Sequence, residues 1–255
     1  MDLHKMTIHE IDSILYKETD PEQLLREMVK DSRSGVQRLL EKYYRQQEGI
    51  RRQREKSDQL LLEERRLWAE GYALVGGMDE VGRGPLAGPV VAACVILPPG
   101  LIIEGVDDSK KLTPSKREEL YDIISGKAEA IGLGMVDPGR IDEINIYAAT
   151  MEAMFRAVNA CQKAPEYLLI DAMRLKALPM PQLSIIGGDG KSQTIAAASI
   201  IAKVTRDRMM VELAETYPEY GFEKHKGYGT REHVKAIRQY GMSPIHRRSF
   251  MKNIF

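Results

Sequence analysis

At Gly71 the chain changes texture, and that change restricts its fold more than any other feature. Upstream, no stretch reads as a strand; downstream, glycines, prolines and β-branched runs take over. A small all-α unit over residues 1–70 and an α/β unit over 71–255 are therefore expected. In the first, TIHEIDSIL spaces Ile8, Ile11, Ile14 and Leu15 for one helix face, and Asp20 followed by Pro21 reads as the cap and first position of a second helix. From Ser34 to about Glu70 the sequence is rich in Leu, Glu, Gln and Arg and lacks proline, which gives one long helix or a hairpin of two. Within it KYYRQQEGIRRQR mixes Tyr43 and Tyr44 with five basic residues, a composition shared by an exposed charged helix and a nucleic-acid contact.

In the second unit YALVGGMD, VVAACVIL, AEAIGLGMV, YLLIDA and LSII read as five strands. TPSKREELYDIISGK is a helix capped by Thr113 with Pro114 at its first position, and two longer helices follow, one from about Arg140 and one from Lys191. Strands in succession, then helix alternating with strand, make a mixed sheet covered by helices. No apolar run approaches the ~20 residues that span a bilayer, and the opening MDLHKMTIHE lacks a secretory pattern. The expected compartment is the cytosol. Cys94 and Cys161 lie in apolar stretches without metal-ligand spacing, as buried reduced thiols would. Net charge is zero, yet from Gly221 onward eight Lys/Arg face only Glu223 and Glu232, with His225, His233, His246, Tyr228 and Tyr240 among them. Such an end is either a solvated face or a patch that neutralises phosphates.

Two glycine-rich segments resemble phosphate loops and fail on spacing. Gly82, Gly84 and Gly88 are one residue too long for a dinucleotide fingerprint, and a strand follows them instead of a helix. GGDGKS ends like a nucleotide-binding loop but has Ile185 where that pattern needs glycine. The acids are more telling. Asp79 and Glu80 close one strand, Asp171 closes another, and Asp189 follows a third just before a long helix. Carboxylates delivered to one rim repel one another unless cations sit among them, and a set of hard oxygens suits Mg²⁺ or Mn²⁺ rather than Zn²⁺.

GMDEVGRGPLAGPVVAACVIL, DDSKKL, LLIDAM, GGDGKSQTIAAASIIAKVTRDR, HKGYGT and SPIHRRSF, in this order, resemble ribonuclease HII over about residues 71–250. The resemblance implies a ribonuclease H-like mixed five-stranded sheet, three antiparallel strands followed by two parallel ones. It implies a monomeric endonuclease that cleaves the RNA strand of RNA/DNA hybrids and incises 5′ to a single ribonucleotide in duplex DNA, leaving 3′-hydroxyl and 5′-phosphate ends. The family's four catalytic acids fall on Asp79, Glu80, Asp171 and Asp189, which would hold two Mn²⁺ or Mg²⁺ ions. Gly82, Arg83 and Gly84 match its backbone clamp on the 2′-hydroxyl, and Tyr228 matches the tyrosine that packs on the next deoxyribose. Lys110, Lys191 and Ser192 match phosphate-binding positions, although Ser192 would equally suit a helix cap. Ser199, Lys203 and Asp207 share one helix face. A ribonuclease HIII-like nuclease and a non-catalytic nucleic-acid-binding module are the alternatives. Residues 1–70 lie outside the likeness and are expected to assist substrate binding; no sliding-clamp peptide is evident.

Overall fold

The computed structural model describes residues 3–17 and 21–253. The chain divides into two units, Met1–Lys56 and Ser57–Phe255. In the first, α1 (Ile8–Leu15) starts with a reciprocal cap between Thr7 and Glu10 and is followed by α2 (Glu22–Lys30). Ile11, Leu15, Leu24, Met28, Val36 and Leu40 form its core. Asp20, expected to cap α2, lies outside the described residues; Pro21 occupies the position before the helix. The long helical stretch resolves as α3 (Ser34–Leu60) and α4 (Leu62–Ala69), broken at Leu61. The boundary between these compact units falls inside α3, upstream of the change in composition at Gly71. The reason is packing: Leu67 and Trp68 of α4 join Val75, Leu169 and Ile195 in one apolar cluster.

The second unit has one five-stranded sheet in the order β3-β2-β1-β4-β5. β1 (Val75–Val81), β2 (Val90–Ile96) and β3 (Ala130–Val136) are antiparallel neighbours, while β4 (Tyr167–Asp171) and β5 (Gln182–Ile185) run parallel to β1. This is the expected topology. Every residue of β2 is buried because both faces of the sheet are covered. Val90, Ala92 and Cys94 point to α6 (Pro138–Asn159), and Val91, Ala93 and Val95 to α7 (Gln193–Thr216) and α5 (Pro114–Lys127). Thr113 and Pro114 open α5 as read from the sequence. α6 is interrupted by Asn145, whose φ of 70° no helix accommodates. Cys94 is fully buried, but Cys161 is only half-buried; both are free.

One glycine sets how α7 lies. A Cβ on Gly77 would stand 2.0 Å from the backbone carbon of Thr194, so the first turn of α7 touches the β1 backbone two residues before Asp79. Beyond α7, α8 (Phe222–His225) and α9 (Arg231–Tyr240) pack with Ala87, Met210 and Met251 in a third cluster. No described helix is long and apolar enough to cross a membrane. Because backbone cannot yield as a flexible side chain does, Gly77→Ala is expected to cost about 2 kcal/mol or more in a urea-unfolding measurement.

Candidate active site

β1 and β4 run side by side, with Met78 opposite Ile170. One residue further, Asp79 and Asp171 therefore arrive together at the carboxyl edge of the sheet. Asp79 is 5% exposed and accepts the Glu80 amide at 2.7 Å. Burial first, and then the adjacent Glu80 carboxylate, push its pKa up to about 8, against hydrogen bonds from Ser199 and the Glu80 amide. Burial also raises Glu80, whose Oε1 accepts Arg83 Nη1 at 3.1 Å. Its Oε2 is buried with no hydrogen-bond partner among the described residues. Asp171 accepts the amide of Gly188 at 2.8 Å, which ties β4 to the short turn carrying Asp189. Asp189 is itself buried, held upward in pKa chiefly by burial, and receives Lys110 Nζ at 3.2 Å.

The donor set is chemically suited to a hard divalent cation: only carboxylate oxygens, one of them buried and unsatisfied. Still, no three carboxylate, thiol or imidazole groups among the described residues are gathered closely enough to hold an ion. Each of three acids has its own partner: Glu80 meets Arg83, Asp189 meets Lys110, and Asp171 meets the Gly188 amide.

The loop from Gly82 to Pro89 joins β1 to β2. Gly82 has φ +91°, and a Cβ there would meet Arg206 Nε at 2.4 Å, so only glycine fits. Arg83 and Gly84 are exposed. Gly84 faces Tyr228: the atom 3.8 Å from its would-be Cβ is Tyr228 Cε1. Tyr228 is 42% exposed, leaving much of its ring open to a ligand. Thus Glu80, Arg83, Gly84 and Tyr228 form a continuous lip beside the acids.

The remaining expected residues divide. Lys191 is exposed and donates to the Ile186 carbonyl at 2.8 Å. Ser192 is fully buried: its hydroxyl accepts Ile195 N–H as the cap of α7 and donates to Glu64 at 2.6 Å. With no surface to offer a phosphate, Ser192 has the capping role alone. On α7, Ser199 reaches Asp79 and Ser109, whereas Lys203 pairs with Asp207 at 2.8 Å.

Sequence reading missed the buried polar residues that support this lip. Glu64 of α4 accepts Ser192, Thr194 Oγ1 and the Thr194 amide through one oxygen. Arg247, counted in the basic end, is fully buried, and so is Arg206. The C-terminal histidines are not a surface patch either: His233 and His246 are buried, and His225 stacks on His233 at 4.4 Å. No periodicity or motif spacing signals any of these, and the loop and cap partners of Glu64, Arg206 and Arg247 are remote in sequence.

The histidine tautomers follow from their partners. His233 Nδ1 faces the Tyr228 carbonyl at 2.9 Å and must donate, so its Nε2 accepts from His246 Nε2 at 3.0 Å. His246 Nδ1 then accepts the Ser243 amide at 2.9 Å. Both rings are neutral, and burial lowers each to about 4. A histidine depressed in the fold binds fewer protons there than in the unfolded chain. Its stabilisation is complete above the ordinary value near 6.5 and is lost as pH falls from there toward 4. Melting temperature is expected to decline across that window, and His246→Gln to flatten the decline when both proteins are melted in parallel.

Comparison with known proteins gives this arrangement a family. The family model for ribonuclease HII matches residues 76–253, and that for the ribonuclease HII N-terminal domain matches residues 7–68. The chain is 53% identical over 252 residues to ribonuclease HII of Bacillus anthracis, covering 97% of this chain and 96% of that protein. Ribonuclease HII of Bacillus mycoides is 53% identical over 249 residues, with the same coverage. Among solved structures, ribonuclease H2 of Pyrococcus horikoshii superposes with a TM-score of 0.61 at 30% identity, over 71% of this chain and 96% of that one. The ribonuclease HII in a complex with PCNA from Archaeoglobus fulgidus gives 0.56 at 25% identity, over 69% and 94%. The family matches define a phosphodiester-cleaving hydrolase. The chain belongs to the ribonuclease HII family, and its activity is that of a ribonuclease H, an endonuclease.

Proposed function

We propose that this protein cleaves the RNA strand of RNA/DNA hybrids and incises duplex DNA on the 5′ side of single ribonucleotides, in ribonucleotide removal during replication and repair in the cytosol. One observation carries the reading: Glu80, the glycine loop and Tyr228 are contiguous, linked by the Arg83–Glu80 pair at 3.1 Å and by the approach of Tyr228 Cε1 to Gly84. A site that must find one ribose in a deoxyribose strand needs its 2′-hydroxyl sensor and its hydrolytic groups within one nucleotide of each other.

In the reaction water adds to phosphorus and the bond to the 3′ oxygen breaks, leaving a 3′-hydroxyl and a 5′-phosphate. Two divalent cations, magnesium or manganese, held by Asp79, Glu80, Asp171 and Asp189, would supply water activation and charge neutralisation at the departing oxygen. The chain's own groups do the positioning. Asp79, pushed up to about 8 by burial and like charge, favours any arrangement that brings positive charge to its side. The exposed amides of Arg83 and Gly84 face the sugar, and the Tyr228 ring supports the deoxyribose that follows. Lys110 and the exposed Lys191 contribute phosphate contacts on the acid side.

End-labelled duplexes carrying one ribonucleotide, with Mg²⁺, Mn²⁺ or chelator, test the reading directly. Cleavage is expected 5′ to the ribonucleotide with either metal and not with chelator. Asp79→Asn and Asp171→Asn should lower the rate by about 10³-fold or more while duplex affinity, read by fluorescence anisotropy, stays within about threefold. Normal cutting by either variant would remove the acids from the chemistry. Tyr228→Ala should slow cutting at the RNA-to-DNA step by roughly 10-fold with an unchanged melting temperature, because it removes an exposed ring.

A further inference from the structure

Arg206 and Arg247 are the largest fully buried side chains among the described residues. Burying a guanidinium is costly unless it is paired, yet no described carboxylate makes contact with either one. Every hydrogen bond they make goes to a backbone carbonyl. Arg247 donates to Gly82 O at 2.6 Å, Arg83 O at 3.1 Å and Gly88 O at 2.7 and 3.0 Å. Arg206 donates to Ala87 O at 3.1 Å, Pro89 O at 2.9 Å and Lys226 O at 2.9 Å. Five of the six carbonyls belong to the loop between Gly82 and Pro89, and the sixth lies two residues before Tyr228. The Phe250 ring covers the other side of the Arg247 guanidinium, 5.1 Å from its centroid.

Peptide geometry turns these contacts into a consequence. In a trans peptide the C=O and the N–H of the same unit point in opposite directions, and the chain has no cis bond among the described residues. Fixing Gly82 O and Arg83 O inward on Arg247 therefore fixes the N–H groups of Arg83 and Gly84 outward. Both residues are exposed, and no acceptor among the described residues meets either amide. The donors are thus aimed, without a protein partner, at the lip shared with Tyr228. A carbonyl held by a cation also polarises its peptide, which strengthens the N–H at the other end.

We propose that Arg247, supported by Arg206, is a positioning residue for ribonucleotide recognition: it locks two peptide planes so that the Arg83 and Gly84 amides present paired donors to a 2′-hydroxyl. The inference rests on the functional reading above and extends it from the loop to what holds the loop. Arg206 couples the two halves of the sensor, since its planar fork reaches the loop at Ala87 and Pro89 and the tyrosine segment at Lys226 at once. Burial, with the neighbouring Arg206, lowers Arg247 to about 9, so the cation persists at neutral pH. Lysine could keep the charge in either place but not the fork.

The test uses the full-length chain with Arg247→Lys and Arg247→Gln, each verified as folded by circular dichroism. Two readouts are taken: steady-state cleavage of a DNA duplex with one ribonucleotide, and amide hydrogen exchange over residues 82–89. For Arg247→Lys we expect kcat to fall at least ~10-fold with KM within ~3-fold, and loop exchange to quicken at least ~10-fold, with Arg247→Gln lower still in kcat. Should the glutamine variant not fold, the lysine variant carries the test alone. Cleavage within twofold of wild type overturns the proposal, whether or not exchange changes, and so does slowed cleavage with an unaltered loop. A wild-type chain that leaves the single-ribonucleotide duplex uncut would instead overturn the functional reading, and loop exchange alone would then judge whether Arg247 orders these peptides.

Discussion

The seating of α7 on β1 is the constraint on which the rest of the structure depends. Where Gly77 meets Thr194, two backbones touch with no side chain between them. That single approach fixes the helix's whole path. Asp189 comes to the acid edge because it sits just ahead of the first turn, and Ser199 comes to Asp79 one and a half turns further on. Arg206, two more turns along, lands beneath the loop that leaves β1. Ala196–Ala198, which follow, pack in the apolar cluster that holds Val91, Ala93 and Val95 of β2. A bulkier helix at the sheet would move an acid, a hydroxyl and a guanidinium together.

Around this helix the protein buries charge of both signs and satisfies each differently. The carboxylates lie along one edge and are partly paired: Glu80 with Arg83, Asp189 with Lys110, and Asp79 with hydroxyl and amide donors only. The arginines have no carboxylate in contact and are satisfied by carbonyls. The difference has a physical logic. An acid neutralised by a buried arginine would gain little from a further cation, whereas one left beside its like keeps its affinity for positive charge. An arginine spent on carbonyls, conversely, orders backbone in a way that a salt bridge to a side chain could not.

The sequence makes the architecture legible because its signals are local. Five strands, the Thr113–Pro114 start of α5 and the placing of four acids at strand ends or before a helix all follow from neighbours in the chain. Composition changes at Gly71, between the family matches at 7–68 and 76–253, whereas compact packing divides the chain earlier, after Lys56. Ser192 was open to two readings since a cap and a phosphate ligand need the same hydroxyl. The basic context of His233, His246 and Arg247 points to a surface, because nothing local distinguishes a buried histidine or arginine from a solvated one. The carbonyls that hold Arg247 lie across the fold, Gly82 being 165 residues away, while the histidines pack on one another.

α4 precedes the texture change and yet packs with the sheet that follows it. Its Glu64 lies in the segment matched by the N-terminal family model, outside the part matched by the catalytic one. Yet it is fully buried and places one carboxylate oxygen against three donors in the first turn of α7. A carboxylate there meets the positive end of the helix and satisfies amides that have no partner within it. Burial raises Glu64 while those donors oppose the rise, so the group is held in place by the helix it caps. The helix that delivers Asp189, Ser199 and Arg206 is therefore anchored at its start by a residue from before the sheet begins. The catalytic unit, in energetic terms, starts in α4.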